Sequence, residues 1–445
     1  MTTPLARRGH GGAGARSATR AGFRPRYLEL MLLLLVACVV GVGLAQLSLV
    51  TTGAVAVSSL NMLGGALLVG LGVSVALSRW APQADQIVLP VVGLLSGLGV
   101  LMLERVGPDF AQRQLLWLGV GAIALLLTLL SSADLGLLRR YKYTAAALGF
   151  LLIIGTIARG VDINGSGYRR WFGFGGYYFQ PVEALKILIV IFFAAYLDEK
   201  KEVMERVSTH IGRLRLPPLQ YLGPLLTMWG ASLLLLTVQN DLGSALLFFG
   251  IFLAMIYVAT ERQTYTWIGA AVFLVGVVLA YRLFPHVRLR AEIWLDPWKT
   301  ASGQGYQLVQ GLIAIASGGI FGSGLAYGHP GVIPAVRTDF IFMAIGEQWG
   351  LLGATLVLGL YAVLVLRGLR IALAARDTFE RLLAVGLTAT VAIQTFVILG
   401  GDLKVIPLTG VTLPFVSYGG SSILFNYIIV GLLLRVSHRA TPSRL

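Results

Sequence analysis

Twelve long apolar runs divide this chain, at about 28–49, 60–78, 87–103, 115–131, 143–158, 181–197, 222–238, 242–259, 266–284, 338–366, 382–400 and 420–436. Apolar residues are nearly continuous within each run. They neither alternate in steps of two nor keep to one stripe, so each run predicts a helix that is apolar all round. A helix rises about 1.5 Å per residue, and about 20 residues cross the hydrocarbon of a bilayer. The pattern therefore predicts an all-α polytopic membrane protein with about twelve spans. A further run, Leu308–Ser317, is too short to cross; it predicts a helix lying at the interface or re-entering from one side.

Composition and charge add a direction. Of 445 residues, 56% are hydrophobic and 12% charged, more apolar surface than a soluble domain of this length can hide. A net charge of +15 would suit a polyanion, but the basic residues lie between the apolar runs rather than in one stripe. That distribution argues against nucleic acid and reads as membrane topology. With the N-terminus inside, the cytoplasmic side receives the N-terminal tail, the links near 79–86, 132–142, 198–221, 260–265 and 367–381, and the C-terminal tail. Together these hold more than half of the 35 Lys and Arg residues. The densest clusters (Arg139, Arg140, Lys142; Lys200, Lys201; Arg367, Arg370) share that side, so both termini are expected in the cytoplasm. Residues 1–27, rich in Arg, Gly and Ala, are expected to form a disordered basic tail. Residues 28–86 then carry two N-terminal spans, 87–436 the main membrane domain, and 437–445 a cytoplasmic tail. The first run lacks a clear cleavage site, which favours an anchor over a signal peptide. The single cysteine, Cys38, lies within it and permits no intrachain disulfide.

This threading leaves 159–180, 285–337 and 401–419 outside. Ionisable side chains near the outer face are costly unless paired or hydrated, which makes them candidates for function. Glu183 and Lys186, three apart after Gln180–Pro181, share a helix face. Asp241 sits between two apolar runs with no room for a loop, as a helix N-cap would. Arg169 and Arg170 in one loop, and Arg288, Arg290 and Lys299 in another, would form an anion site if the loops converge; Arg suits bidentate contact with phosphate. Glu292, Asp296, Arg337, Asp339, Glu347, Asp402 and Lys404 lie on or near the same side. Trp171, Trp294 and Trp298 beside them fit a membrane-interface belt as readily as sugar stacking. Walker loops, nucleophile elbows and His pairs at metal spacing are absent, so no dedicated metal cage is expected. A transporter would suit the many spans, but no convincing internal repeat supports one.

Several stretches together resemble one family. Ile406–Ser422, IPLTGVTLPFVSYGGSS, is similar almost residue by residue to the C-terminal signature of the SEDS family (shape, elongation, division and sporulation). Asn164–Phe172 (NGSGYRRWF), Gln180–Lys186 (QPVEALK), Gln239–Phe249 (QNDLGSALLFF), Gly305–Gly324 and Arg337–Gly353 fall in the family's order. The resemblance runs from about residue 87 to the C-terminus. It implies a ten-helix core with its large external loop at 285–337, preceded by two extra N-terminal transmembrane helices.

The resemblance also implies an activity. SEDS proteins are peptidoglycan glycosyltransferases that polymerise lipid II, a polyprenyl diphosphate-linked disaccharide peptide, outside the bacterial cytoplasmic membrane. They act during elongation or division with a class B penicillin-binding protein and other membrane proteins of those machineries. Inversion at the anomeric carbon needs a base near the acceptor hydroxyl and positive charge on the departing diphosphate. No cofactor is implied with certainty, and a divalent cation on the diphosphate stays open. By resemblance the loop aspartate of the family, in a pattern like DP-x-x-DP-x-G-x-GYQ, falls on Thr300 in DPWKTASGQGYQ. Asp296, four residues earlier, is then the candidate base, with Asp339 and Glu292 as further candidates. Substrate binding is expected from Arg169, Arg170, Glu183, Lys186, Arg288, Arg290, Lys299 and Ser417. Two readings stay open: a neighbouring carboxylate has replaced the missing one, or the chain is a weak or inactive homologue that flips lipid II or scaffolds and activates its partner synthase.

Overall fold

The computed structural model describes residues 26–440, apart from 132–134, 164, 166, 207, 208, 212, 213, 217 and 218. Most of the expected basic tail, the last five residues of the C-terminal tail and Asn164 therefore lie outside the described residues. Each of the twelve apolar runs falls on a helix. In chain order these are α1 (Tyr27–Thr52), α2 (Val57–Trp80), α3 (Val88–Val106), α4 (Pro108–Ser131), the short α5 (Gly136–Arg140) and α6 (Lys142–Arg159). A hairpin, β1 (Phe172–Phe174) and β2 (Tyr177–Phe179), leads into α7 (Pro181–Arg206). A second hairpin, β3 (Thr209–Ile211) and β4 (Leu214–Leu216), precedes α8 (Leu219–Val238), α9 (Leu242–Thr260) and α10 (Gln263–Leu283). The long connection holds α11 (Pro285–Leu295) and α12 (Tyr306–Gly318), and α13 (Ile341–Ala374), α14 (Thr378–Asp402) and α15 (Gly420–Ala440) complete the bundle.

Among the described residues, ten helices are long and apolar enough to cross a membrane. The other two apolar runs lie on α7, whose first turns carry Glu183 and Lys186, and on α8, whose described apolar stretch is Gly223–Val238. The chain is an all-α, multi-pass membrane protein. One end of the bundle gathers the ion pairs Arg139–Asp198 and Arg439–Glu380, each at 2.8 Å, with Lys142–Glu199 and Arg367–Asp85. The opposite end carries the β1–β2 hairpin, the 285–340 connection and residues 403–419.

The N-terminal pair is built into the bundle. Helix α1 packs on α2 and α3, and α2 packs on α4. The buried Arg26 guanidinium donates to the carbonyls of Ala84 and Asp85, each at 2.7 Å, and pairs with Glu29 at 2.6 Å. Glu29 in turn accepts from Ser74 Oγ of α2 at 2.6 Å. A buried ion pair that is also hydrogen-bonded to the neighbouring link and helix fixes the geometry of its elements.

The run 338–366 predicts one uninterrupted helix, and the structure breaks it. At Gly350 the backbone turns to φ 62° and ψ −160°, outside the helical region and accessible only to glycine without strain. A break orphans helix carbonyls and amides, and here the segment 319–324 takes them up. Ser323 and Gly324 amides donate to the Glu347 and Gln348 carbonyls at 2.9 and 3.1 Å. Leu351 and Leu352 amides donate to Gly319 and Ile320 at 2.9 and 3.2 Å. Helix α12, expected as the short helix 308–317, packs against α13 and carries this glycine-rich segment into the break. The long connection is thus folded back onto the bundle.

Candidate active site

At the end of the bundle away from the ion pairs lies an open cleft of about 980 Å³. Its framework is the segment 406–422, which is nearly all loop until α15 begins at Gly420. Its polar groups tie it to three other parts of the chain. Ser417 Oγ accepts from the Leu413 amide at 2.9 Å and donates to the Thr338 carbonyl. The Tyr418 amide donates to Arg337 O at 2.8 Å, Gln114 Nε2 to Ser417 O at 3.1 Å, and the Gln180 amide to Ser421 Oγ at 2.9 Å. Close approach leaves no space for larger residues: a Cβ on Gly420 would lie 2.1 Å from the Trp117 ring, and one on Gly99 of α3 2.4 Å from Val416 O. The signature segment is therefore a structural hub that holds α3, α4, α7 and the end of the long connection around one space.

Charge is concentrated in that space. Arg113, Arg170, Lys186 and Arg337 line it, with Glu183, Asp241 and Asp339. Two of the three carboxylates are already engaged. Glu183 pairs with Lys186 at 2.7 Å, both side chains buried, and Lys186 Nζ also donates to Gln394 Oε1 at 2.6 Å. Gln394 passes the link on to Thr412 O at 2.8 Å. Asp241 caps α9, accepting from the Ser244 amide at 3.0 Å and from Ser244 Oγ at 2.8 Å. Its preceding residue, Asn240, takes a left-handed φ of 56° to make the tight turn. Arg170 closes that turn, with Nε donating to Gln239 O and Nη2 to Asn240 O, both at 3.0 Å.

Asp339 is different. It precedes α13, lines the cleft and is half-buried. Burial pushes its carboxyl up to about 6, while the Thr338 side chain and the charges of Arg290 and Arg170 pull the other way. A carboxyl poised there is ionised at neutral pH and still able to accept a proton.

Comparison with known proteins decides the family. The family model described as cell cycle protein, covering FtsW, RodA and SpoVE, matches residues 77–442. The chain is 43% identical over 378 residues to the peptidoglycan glycosyltransferase RodA of Mycobacterium tuberculosis, covering 82% of this chain and 80% of the relative. The chain belongs to the FtsW, RodA and SpoVE family. It is also 35% identical over 330 residues to stage V sporulation protein E of Bacillus subtilis, covering 74% and 87%. Among solved structures it is similar to a chain from a peptidoglycan synthase complex that coordinates polymerization and crosslinking. That match has a TM-score of 0.66 and 28% identity, over 80% of this chain and 98% of the other. Thermus thermophilus RodA matches with a TM-score of 0.56 and 27% identity, over 80% and 97%. Helix α1 and most of α2 precede the part matched by the family model.

The family residues singled out in the sequence divide into two groups. Arg170, Glu183, Lys186 and Asp339 come together in the cleft. Arg290 stands behind its wall, donating to Thr409 O at 3.4 Å beside Gly410 and within electrostatic reach of Asp339. Arg288 does not join it: two residues apart on α11, the side chains point about 200° apart, and Arg288 lies over the Tyr281 ring at 5.7 Å. Arg169 points back to Ala158 O of α6 at 3.0 Å. Asp296 pairs with the exposed Lys299 at 3.4 Å, and neither these two nor Thr300 lines the cleft. Ser417 is buried in the hub rather than open to the cleft. Of the tryptophans, Trp171 lines the cleft, Trp294 Nε1 donates to Lys404 O at 3.0 Å, and Trp298 is exposed. Sequence reasoning passed over Arg113 and Trp117; the available signal was their four-residue spacing near the start of α4, which puts both on one face. Among the described residues no group of three or more His, Cys, Asp or Glu could hold a metal ion.

Proposed function

We propose that this chain is a glycosyltransferase that polymerises lipid II at the outer face of the bacterial cytoplasmic membrane, with both termini in the cytoplasm. One observation carries the reading: a single cleft holds several cations and, in Asp339, a carboxylate near its protonation midpoint. Arg113, Arg170, Arg337 and Lys186 supply positive charge for a diphosphate, which strengthens on them as the leaving group takes on charge. The acceptor hydroxyl oxygen bonds to the donor's anomeric carbon as the bond from that carbon to the diphosphate oxygen breaks. The electron pair leaves with the diphosphate, and the hydroxyl proton passes to Asp339. Entry from the face opposite the donor bond inverts the anomeric centre. The likeness to a peptidoglycan synthase chain supports a class B penicillin-binding protein as partner.

A second reading has its own observation. Thr300 replaces the aspartate that the family resemblance expects, and Asp296 lies off the cleft against Lys299. On this reading the chain is a weak or inactive homologue that moves lipid II or activates a partner synthase. Purified protein with its partner, given lipid II, separates the two. Glycan strands from the unmodified protein, lost in Asp339→Asn but kept in Asp296→Ala, support the first. No strands from the unmodified protein, with strands appearing in Thr300→Asp, support the second and remove the first.

A further inference from the structure

Ser417 sits in the signature segment 406–422, yet it is 1% exposed and does not line the cleft. Its hydroxyl acts on the peptide unit that enters Asp339. That unit joins the Thr338 carbonyl to the Asp339 amide, and it is planar, so holding both of its ends fixes the plane. Ser417 Oγ donates to the Thr338 carbonyl, and the Asp339 amide donates to Ala335 O at 3.0 Å. The hydroxyl is itself anchored by the Leu413 amide at 2.9 Å. One residue earlier, Arg337 O accepts from the Tyr418 amide at 2.8 Å. One residue later, Phe340 is fully buried, its ring 2.8 Å from where a Cβ on Gly311 would lie.

The turn that feeds this unit is strained. Ala335 takes φ 51°, a left-handed conformation that L residues rarely adopt. Its carbonyl collects the amides of Thr338, Asp339 and Phe340 at 3.1, 3.0 and 3.4 Å. Strain of this kind persists only where the surroundings over-determine it, and here it adjoins the base. The signature segment also walls the carboxylate: a Cβ on Gly410 would lie 3.7 Å from Asp339 Oδ2. The charged groups facing Asp339 belong to other elements: Arg170 ahead of β1, Arg290 on α11 and Asp402 at the end of α14. Asp241 and the Glu183–Lys186 pair line the same cleft. Replacing Ser417 removes none of them.

We infer that Ser417 is a positioning residue: its hydroxyl sets where the Asp339 carboxylate stands in the cleft and how much water reaches it. The kinetic consequence rests on the polymerase reading, and a second readout rests on Asp339 alone. Without the hydroxyl the entering peptide turns more freely and water reaches the carboxylate, so the burial that raises its proton affinity weakens. In strand synthesis by the full-length protein with its partner, Ser417→Ala is expected to lower kcat by about tenfold or more while KM stays within about twofold. The acid limb of its pH profile moves down by about one pH unit, because a base of lower proton affinity stays ionised to lower pH. Infrared difference spectra against pH read the Asp339 carboxyl without lipid II, the band missing in Asp339→Asn identifying it. That midpoint lies at about 6 in the wild type and falls in Ser417→Ala. If the alanine variant does not fold, Ser417→Cys replaces it: a thiol fills similar space and donates weakly, so the shift keeps its sign and is smaller. A midpoint unchanged from wild type in the folded variant, whatever the change in melting temperature or kcat, makes Ser417 structural only and overturns the inference. No strands from the wild type, with the infrared midpoint still falling in the variant, removes the polymerase reading and keeps the positioning role.

Discussion

At the scale of single residues, neighbours with the same chemistry are separated by backbone geometry. Arg169 and Arg170 adjoin in sequence, yet one reaches the end of α6 and the other the Gln239–Asn240 turn. Arg288 and Arg290 diverge for the helical reason. The sequence showed which residue types could meet a diphosphate, and Glu183–Lys186 and the Asp241 cap followed from local spacing alone. Which arginine of each pair turns inward depended on tertiary contacts that spacing does not encode. Arg170 spans two carbonyls with its planar fork, which a lysine ammonium cannot reproduce. Arg170→Lys is expected to lower stability by about 1 to 2 kcal/mol and to raise KM for lipid II severalfold, measured by thermal unfolding in detergent and by strand synthesis. A variant with wild-type melting and KM would remove Arg170 from both roles.

At the scale of elements, hydropathy located all twelve long helices, because continuous apolar blocks have one reading in a bilayer. It could not show the break in α13: glycine is compatible with an apolar run, so Gly350 looks like any other position until its φ is known. Nor did it show the β1–β2 hairpin, which is too short to leave a period. The break gives a sharp prediction. A Cβ at Gly350 would lie 2.4 Å from the Gly322 amide nitrogen, in a backbone conformation that L residues rarely adopt. Gly350→Ala is expected to cost more than about 2 kcal/mol and to speed hydrogen exchange in 319–324. Gly359, on the same helix with open space around it, is the control: alanine there should be neutral.

At the scale of the whole molecule, the N-terminal pair lies mostly outside the matched family region, yet Glu29 and Ser74 tie its two helices together and Arg26 fastens it to the Ala84 and Asp85 carbonyls before α3. Arg26→Ala leaves Glu29 buried without its partner and is expected to cost about 3 to 5 kcal/mol, lowering the melting temperature while strand synthesis changes little. Loss of synthesis without loss of stability would give the pair a role in catalysis instead. On the proposed reading the bundle holds the Asp339 carboxylate among cations at the end that carries the cleft. Since the Asp339 carboxyl sits at about 6 and the base must be ionised, activity should fall as pH drops through that value. The most direct measurement is therefore the rate of glycan strand formation from lipid II, by the protein with its partner, across pH for wild type and Asp339→Asn. The expected result is a wild-type rate that declines below about pH 6 and a variant slower by about a hundredfold or more with no such decline. Equal rates and profiles in the two proteins, or no strands from the wild type at any pH, would contradict the account.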